Sequence, residues 1–408
     1  MPNHDTTTSG APTRRDLVKY GGALAGGGAI AGCSELAGQD ENQSQNGTPG
    51  DGSYSVEMAP MGEVTFDSVP ENVFSILPHH VDMAVAVGRS DSLNAMHGPD
   101  YYESLWSKFL HRLEGVSVDW SGLYSSWPPT KEKLIELDSD VHLADPAKVA
   151  TAEGLDANDV EEIAELVAPW FGNTLSGTQK APPEAYADSY EYYPLWEIFR
   201  KIAQVFQAET RYQELAAVRE SMLNEIERRL PSEGDRPTAA MVLFSTADDG
   251  KIWGYKMNHP GYYAAHSRPL GATDALADAV GPSYGDDGRN IVLDYELLLE
   301  ADPDALLVFG PMTESHDIEE IRSTLANHDV ASELTAVQND RIHVQGSRRQ
   351  GPLLNLFQTE MTAKQLYPDA FGEWPTYTEG PYPEIPADEQ LFDRGEVADI
   401  VNGKSNRD

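Results

Sequence analysis

Aromatic, imidazole and guanidinium side chains are concentrated in four short segments of the chain, PHH, YSSWPP, GYKMNHPGYYAAHSRP and SRRQG. These segments supply His79, His80, Tyr124, Trp127, Tyr255, His259, Tyr262, Tyr263, His266, Arg268, Arg348 and Arg349. A guanidinium group offers a rigid fork of donors that suits carboxylate or hydroxamate oxygens. Aromatic walls with a few cations therefore predict a pocket for a bulky anion, either planar or lobed.

The histidines leave other chemistry open. Imidazole suits zinc or iron, so a bare metal ion could be ligated by His79, His80, His259 and His266. No HxxxH pattern or histidine-rich loop accompanies them, and we predict no resident metal. A single Tyr or His could also ligate haem, and structural roles such as packing of Trp127 beside its two prolines are open as well.

An exported metal-dependent hydrolase is the alternative from another class of protein. It would need a nucleophile or a metal-activated water with a base in reach. The chain contains no HExxH motif, no P-loop and no Rossmann glycine run. The sequence therefore favours a binding protein over an enzyme.

The chain is strongly acidic. Its 408 residues include 67 Asp and Glu against 29 Lys and Arg, which gives a formal charge of −38. This charge repels nucleic acid and anionic membrane surfaces, so neither is an expected ligand. It indicates either a salt-adapted surface, as in halophiles, or an acidic binding patch. Positive charge is scarce, and the adjacent Arg348 and Arg349 are correspondingly notable.

Hydrophobic patterns divide the chain into two α/β lobes. NVFSIL and DVHLAD have the pattern of buried strands, followed in the second half by TAAMVLFS, ALLVFG and RIHVQG. We predict two Rossmann-like lobes over residues 54–193 and 231–371, followed by an extension over 372–408. Ligands of open α/β sheets bind beyond the carboxyl ends of the strands, so we place the ligand cleft between the lobes.

One long segment separates the two lobes. Residues 194–230 carry apolar side chains at helical spacing without an internal proline or glycine. A coiled coil is disfavoured because the a/d register does not persist. The pattern predicts one helix of about 50 Å that joins the lobes and limits their closure to a small angle.

One acidic phrase occurs twice. EKLIELDSDVHLAD begins at Glu132 and ELLLEADPDALLVF begins at Glu296, with the acidic, apolar and Asp-x-Asp positions in the same order. Each Glu starts a predicted helix, where the helix dipole favours an acid. The repeat predicts equivalent tips on two related lobes.

The N-terminus has the features of an export signal. TRRDLVKYGGALAGGGAIAGC carries twin arginines, Arg14 and Arg15, then an uncharged run too short to span a bilayer, and ends at Cys33. Residues 1–32 are thus predicted to be a twin-arginine lipoprotein signal. Residues 33–53 lack the apolar side chains needed for a core and are predicted to be a flexible tether.

The lipobox-like IAGC that ends at Cys33, the two lobes, the long connecting helix and LLLEADPDALLVFG together resemble substrate-binding proteins of ABC importers for ferric siderophores, haem and cobalamin. The resemblance extends over roughly residues 69–368. It implies an exported monomer that is anchored to the outer face of the membrane by lipid on Cys33. It also implies that the chain has no catalytic activity and no cofactor beyond its cargo.

The resemblance also implies partners and roles. Glu132 and Glu296 would dock on arginines of an ABC permease dimer that carries a cytoplasmic ATPase. Arg348 and Arg349 would lie in the loop at the mouth of the cleft, and Trp127 lies near a position that is often aromatic in the family. A ferric-siderophore-like ligand is the preferred cargo, with cobalamin or haem as alternatives.

Overall fold

The computed structural model describes residues 52–245, 251–287, 290–313 and 316–404. The predicted export signal with Arg14, Arg15 and Cys33 lies outside these residues, as does nearly all of the predicted tether. Within the described ranges, no helix combines the length and the apolar character required to cross a bilayer.

The first lobe contains a parallel sheet flanked by helices. Its elements in chain order are β1 (Tyr54–Met58), β2 (Gly62–Phe66), β3 (Val73–Ser75), α1 (Pro78–Ala86), β4 (Leu93–Met96), α2 (Pro99–Leu110), β5 (Tyr124–Ser125), α3 (Lys131–Leu137), β6 (Val141–Leu143), α4 (Pro146–Val149) and α5 (Ala157–Leu166). Strands β1 and β2 form an antiparallel hairpin. The other four strands are parallel in the order β5-β4-β3-β6, so their carboxyl ends share one edge.

Helix α1 begins at the PHH segment. Pro78 is the first residue of the helix, and His79 and His80 lie in its first turn. Proline is well tolerated there because the first helical N–H groups have no intrahelical partner. Both histidines are fully buried in consequence.

The predicted single helix over 194–230 is wrong in one place. Helix α6 (Leu195–Val205) ends, and α7 (Glu209–Arg229) begins after a break. Gln207 has a φ of 50°, and the Ala208 N–H donates to Ala203 O at 2.8 Å, which is the hydrogen-bond pattern of a Schellman helix end. The connecting rod is therefore α7, with α6 packed beside it.

The second lobe contains a mixed sheet. Its elements are β7 (Thr238–Phe244), β8 (Ile252–Tyr255), β9 (Thr273–Asp274), α8 (Ala275–Val280), β10 (Ile291–Leu293), α9 (Tyr295–Ala301), β11 (Ala305–Phe309), β12 (Met312–Thr313), β13 (His316–Asp317), α10 (Ile318–Asn327), α11 (Thr335–Gln338), β14 (Ile342–Gln345), α12 (Pro352–Leu366) and α13 (Pro368–Phe371). The main strand order is β10-β8-β7-β11-β14, with β9 beside β7. Strands β7, β11 and β14 are parallel to one another, and β8 pairs antiparallel with both of its neighbours, β7 and β10.

The C-terminal segment, residues 372–404, contacts both lobes and ends in helix α14 (Arg394–Val401). On the first lobe, Tyr382 accepts a hydrogen bond from Arg112 Nε at 3.0 Å through its carbonyl oxygen. On the second lobe, the Tyr382 hydroxyl donates to Glu360 at 2.9 Å. Glu360 also accepts from the Leu391 N–H at 2.6 Å and pairs with Arg394.

Glu360 offers a test of this packing. Glu360→Gln removes the negative charge that neutralises Arg394, and the amide that replaces the carboxylate remains buried. We therefore expect the free energy of unfolding to fall by about 2 kcal/mol. Urea unfolding measures the loss. The control Glu136→Gln removes an exposed pair with Lys133 and should cost less than about 1 kcal/mol. Equal losses in the two variants would show that the C-terminal segment contributes little.

Candidate functional site

Polar and aromatic side chains meet where parallel strands of both sheets end. In the first lobe, His97 follows β4, Trp127 follows β5, and Lys148 lies on α4 just after β6. In the second lobe, Arg348 and Arg349 follow β14. These are the strand ends at which an open α/β sheet binds its ligand.

Arg348 and Arg349 lie within an aromatic cluster formed by both lobes. The Arg348 guanidinium is 5.3 Å from the centre of the Tyr255 ring and 5.9 Å from that of Tyr263. Arg349 Nη1 lies 3.4 Å from the hydroxyl of Tyr102, which belongs to α2 of the first lobe. The Nε of Arg349 is buried without a hydrogen-bond partner in the described part of the chain. The cluster therefore has donor capacity left for a ligand.

The electrostatics of the cluster favour anions. Burial raises the pKa of the Tyr263 hydroxyl, but Arg349 and Arg348 outweigh it and hold that pKa below its ordinary value. Lys148 has its pKa lowered by burial and then by the positive charges of Arg349 and Lys180. The positive potential of the cluster therefore favours the deprotonated forms of Tyr263 and Lys148. The same potential would stabilise an anionic ligand.

His79, His80 and Tyr262 lie beneath this cluster and are fully buried. The His79 and His80 rings are 3.9 Å apart, and His79 Nε2 is 3.2 Å from the Tyr262 hydroxyl. Burial lowers the pKa of His79 well below its usual range, with further lowering by His80. These predicted residues connect the lobes in this structure and are not accessible to a bulky ligand.

Three other predicted residues have roles within the second lobe. His259 Nδ1 accepts from the Gly261 N–H at 2.9 Å, and Arg268 donates to the carbonyl oxygen of His259. His266 is fully buried and lies 2.8 Å from the Gln350 amide nitrogen. Structural hydrogen bonds therefore occupy these side chains, and our site excludes them.

Tyr124 and Trp127 lie on the first lobe, and each carries a lysine over its ring. Lys133 is 4.6 Å from the ring centre of Tyr124, and Lys148 is 5.0 Å from that of Trp127. Lys133 belongs to α3, so Tyr124 lies on the side of the acidic tip, whereas Lys148 lies over Trp127 and has its pKa lowered by Arg349. We retain Trp127 in the candidate site and exclude Tyr124.

Sequence reasoning missed His97, Tyr101, Tyr102 and Lys148. Three of them follow β4, a strand whose short LNAM sequence gave too weak a pattern to be predicted. Lys148 follows DVHLAD, which was predicted as a strand. The rule that ligands bind beyond the carboxyl ends of strands finds Lys148 when it is applied to that strand.

The two lobes are in direct contact beside the cluster. The Tyr262 hydroxyl donates to Thr174 O at 3.2 Å, and a Cβ added to Gly177 would lie 2.6 Å from Cε1 of Tyr263. Any side chain at Gly177 would push Tyr263 and its lobe away, which explains glycine at this close approach. A cavity of about 10 Å³, enough for one water molecule, lies between His80 and Lys148.

Asp82 of α1 links the lobes at the start of α12. Its two carboxylate oxygens accept from the Leu353 N–H at 2.9 Å and the Leu354 N–H at 3.0 Å. Burial raises the pKa of Asp82 to about 7, although these N–H groups act in the opposite direction. The folded protein therefore binds a proton at Asp82 more tightly than the unfolded chain does.

This shift predicts a pH dependence of stability. The contribution of protonated Asp82 is fully present below the unfolded pKa of about 3.9, and it is lost as the pH rises through about 7. The slope is at most about 1.4 kcal/mol per pH unit. Urea unfolding at pH 5 and pH 8 should show the stability of the wild type falling relative to that of Asp82→Asn. Parallel profiles would contradict the shift.

The repeated acidic phrase forms the same local structure in each lobe. Asp138 and Asp302 end α3 and α9 in the left-handed conformation, with φ of 46° and 34°. Asp140 accepts from the Asn72 N–H at 2.9 Å, directly before β3, and Asp304 accepts from Thr238 N–H at 2.8 Å, at the start of β7. Each Asp thus fixes the start of the neighbouring strand.

Glu132 and Glu296 have no such structural role. Each is the second residue of its helix, after the N-caps Thr130 and Asp294. Both are exposed, and neither has a hydrogen-bond or ion-pair partner within the described ranges. The two carboxylates are therefore free to contact another molecule.

A metal-dependent hydrolase or a serine hydrolase would need a metal centre or a nucleophile elbow. No group of three or more His, Cys, Asp or Glu side chains among them is arranged to hold a metal ion. A GxSxG sequence occurs as GPSYG at residues 281–285. It lies in a turn between α8 and β10 and not at the strand-to-helix elbow that hydrolases use.

Residues 123–348 match the model of a family described as periplasmic binding protein. The match extends over more than half of the chain, and the chain belongs to this family. Its members are binding proteins that act outside the cytoplasm. Our prediction of an exported binding protein instead of an enzyme is confirmed by this membership.

Solved structures share the two-lobed α/β fold. A periplasmic solute binding protein from Mycobacterium smegmatis is 17% identical, with a TM-score of 0.53 over 78% of this chain and 98% of its own. A periplasmic binding protein from Veillonella parvula is 14% identical, with a TM-score of 0.53 over 78% and 92%. PiaA from Streptococcus pneumoniae, in complex with ferrichrome, is 15% identical, with a TM-score of 0.50 over 76% and 97%. No curated protein sequence matches the chain.

Proposed function

We propose that this protein captures a ferric-siderophore-like chelate outside the cytoplasm and delivers it to an ABC permease. The observation that carries the proposal is the cluster of aromatic and cationic side chains at the strand ends of both lobes. Its members are Trp127, Tyr255, Tyr263, Arg348 and Arg349. The rings provide apolar walls, and the guanidinium groups provide donors for chelate oxygens.

Delivery depends on the two acidic tips. Glu132 and Glu296 are exposed at equivalent positions of the two lobes, and neither has a hydrogen-bond or ion-pair partner among the residues that the structure describes. Two carboxylates that are one lobe apart can orient the protein on two arginine-bearing permease subunits, because charges at an interface set register.

We further propose that the protein is exported through the twin arginines and acts as a monomer tethered by lipid on Cys33. The motif TRRDLVKY and the small residues before Cys33 support this proposal. Metabolic labelling with an alkyne fatty acid should label the wild type and leave Cys33→Ala unlabelled. Labelling of both forms would reject the lipid site.

Tryptophan fluorescence tests the proposed ligand class. A ferric chelate should quench the emission of Trp127, and the iron-free chelator should quench it much less. In the control Trp127→Phe, the part of the quenching that saturates with chelate should decrease. If haem or a corrinoid quenched the emission and no ferric chelate did, the proposed ferric chelate would be rejected in favour of that ligand. Turnover of the added compound would reject a binding protein.

A further inference from the structure

One buried side chain joins the turn that carries Tyr263 to the loop that carries Arg348 and Arg349. Gln350 follows Arg349 directly in the chain and is fully buried. Its amide nitrogen donates to the carbonyl oxygens of Tyr262 at 3.2 Å and of Tyr263 at 3.4 Å. Gln350 therefore connects two segments that are 87 residues apart in sequence and that both supply side chains to the cluster.

A buried relay of hydrogen bonds fixes the orientation of the Gln350 amide. The amide oxygen of Gln350 accepts from Asn355 Nδ2 at 2.9 Å, and the amide oxygen of Asn355 accepts from Trp196 Nε1 at 2.9 Å. An indole N–H can only donate and a backbone carbonyl oxygen can only accept, so the two ends of the relay allow a single direction. The reverse orientation would turn the Gln350 oxygen toward two carbonyl oxygens, which repel it.

The far end of the relay belongs to the first lobe. Trp196 lies on α6, whose Lys201 Nζ donates to the carbonyl oxygen of Glu57 in β1 at 2.8 Å. Asn355 lies on α12 of the second lobe. The hydrogen bond between Trp196 and Asn355 therefore crosses from one lobe to the other and leads, through Gln350, to the cluster.

The loop with the two arginines is held at its other end by a second glutamine. Gln358 of α12 is fully buried, and its amide oxygen accepts from the Ser347 N–H at 2.6 Å. Its amide nitrogen donates to the Ser347 carbonyl oxygen at 3.0 Å. Gln358 thus fixes the loop to the helix that follows it, whereas Gln350 ties the loop to the turn of Tyr263.

The alternative explanation is that Gln350 only satisfies buried polar groups, since a buried amide needs hydrogen-bond partners wherever it lies. Gln365 illustrates that role. It is buried near the opposite end of α12 and donates to the carbonyl oxygen of Val344 in β14 at 2.9 Å. Gln365 therefore joins a helix to a strand, whereas Gln350 joins the two segments that carry the arginines and Tyr263.

We propose that Gln350 is a positioning residue of the chelate site, which holds Tyr263 beside Arg348 and Arg349 without touching the chelate. This inference rests on the proposed function. The Arg348 guanidinium lies 5.9 Å from the centre of the Tyr263 ring, and this arrangement requires the turn and the loop to stay joined. Groups that bind a ligand must be held within about 0.5 Å of their productive geometry by the residues that support them. The hydrogen bonds of Gln350 provide this support.

Two matched substitutions test the inference. Gln350→Met and Gln365→Met each replace a buried glutamine of the second lobe by an apolar side chain of similar length, without a change of charge. A trianionic ferric tricatecholate and a neutral ferric trihydroxamate are titrated by isothermal calorimetry into the wild type and both variants. Circular dichroism shows whether each variant is folded. If Gln350→Met does not fold, Gln350→Asn replaces it, because asparagine keeps the amide but withdraws it by one methylene group.

We expect the Gln350 variant to weaken each probe that the wild type binds by about tenfold, because lost positioning affects a ligand irrespective of its charge. Gln365→Met should change these affinities by less than about twofold, since the folded form still predominates. Equal losses in the two variants, or an unchanged affinity in the Gln350 variant, would overturn the inference and leave the proposed function standing. Failure of the wild type to bind either probe would instead contradict the proposed function.

The phenol of Tyr263 gives a second readout, which a purely structural role of Gln350 would not change. Arg349 and Arg348 hold the pKa of Tyr263 below its ordinary value. Ultraviolet titration of the phenolate, with the profile of Tyr263→Phe as the reference, should show a higher pKa in the Gln350 variant and no change in Gln365→Met. An unchanged pKa in the Gln350 variant would show that Tyr263 stays beside the arginines without Gln350, and would overturn the inference.

Discussion

Replacing Glu132 and Glu296 together by alanine is expected to reduce chelate uptake by about 100-fold or more while the chelate affinity stays unchanged. Each carboxylate is exposed at the start of a helix and has no partner within the described residues. Their loss should therefore not disturb the fold or the cluster between the lobes. Uptake is measured in cells that express the protein with its own permease, and affinity is measured on the purified protein.

The repeat supplies a matched control for this experiment. Glu136 and Glu300 occupy equivalent positions one helical turn later on α3 and α9. The double change of Glu136 and Glu300 to alanine removes the same charge from the same two helices and should leave most of the uptake intact. Equal loss of uptake in the two double variants would show that uptake depends on the total negative charge of the tips and not on Glu132 and Glu296 in particular. A fall in chelate affinity after loss of Glu132 and Glu296 would contradict the docking role.

Replacing Arg348 and Arg349 together by glutamine is expected to weaken an anionic ferric chelate by about 100-fold or more and a neutral one by less than about fivefold. Glutamine keeps hydrogen-bond donors and much of the side-chain length, so the difference between the probes reports charge. The guanidinium of Arg348 lies against Tyr255 and Tyr263, and the Nε of Arg349 is buried without a partner in the described ranges. Isothermal calorimetry measures both affinities.

Helix α7 provides the control for the arginine variant. Arg228 and Arg229 are also adjacent, and they pair with Glu225 at the end of that helix. Their replacement by glutamine should change neither affinity by more than about twofold, because exposed pairs contribute little. If the Arg348 and Arg349 variant weakened both chelates equally, the cluster would act through shape and not through charge.

The sequence predicted the structure best where a local pattern of residues is compatible with only one local structure. The acidic phrase at Glu132 and Glu296 predicted equivalent tips, and the structure shows that Asp140 and Asp304 make matching backbone contacts. Strand β11 was recognised because its apolar residues form one continuous buried run. These features are local, so a local reading of the sequence finds them.

The remaining errors come from contacts between distant residues. No proline or glycine marks the break between α6 and α7 in the sequence. The ring centres of Tyr212 and Phe199 lie 5.4 Å apart because the chain turns there. Burial of His79 and His80 depends on Tyr262, which is more than 180 residues away. The sequence predicted part of the candidate site. Arg348 follows a strand that could be predicted, and Trp127 stands out beside two prolines, whereas Lys148 was overlooked.

The position of bound iron tests the central claim most directly. Crystals grown with a ferric chelate and measured at the iron absorption edge locate the metal by anomalous scattering. The account predicts one strong peak between the lobes, beside Trp127, Tyr263 and Arg348. A peak at the exposed tips of Glu132 or Glu296 would contradict it. So would the absence of a peak between the lobes when the same protein binds the chelate in solution and the cluster is unchanged in the crystal.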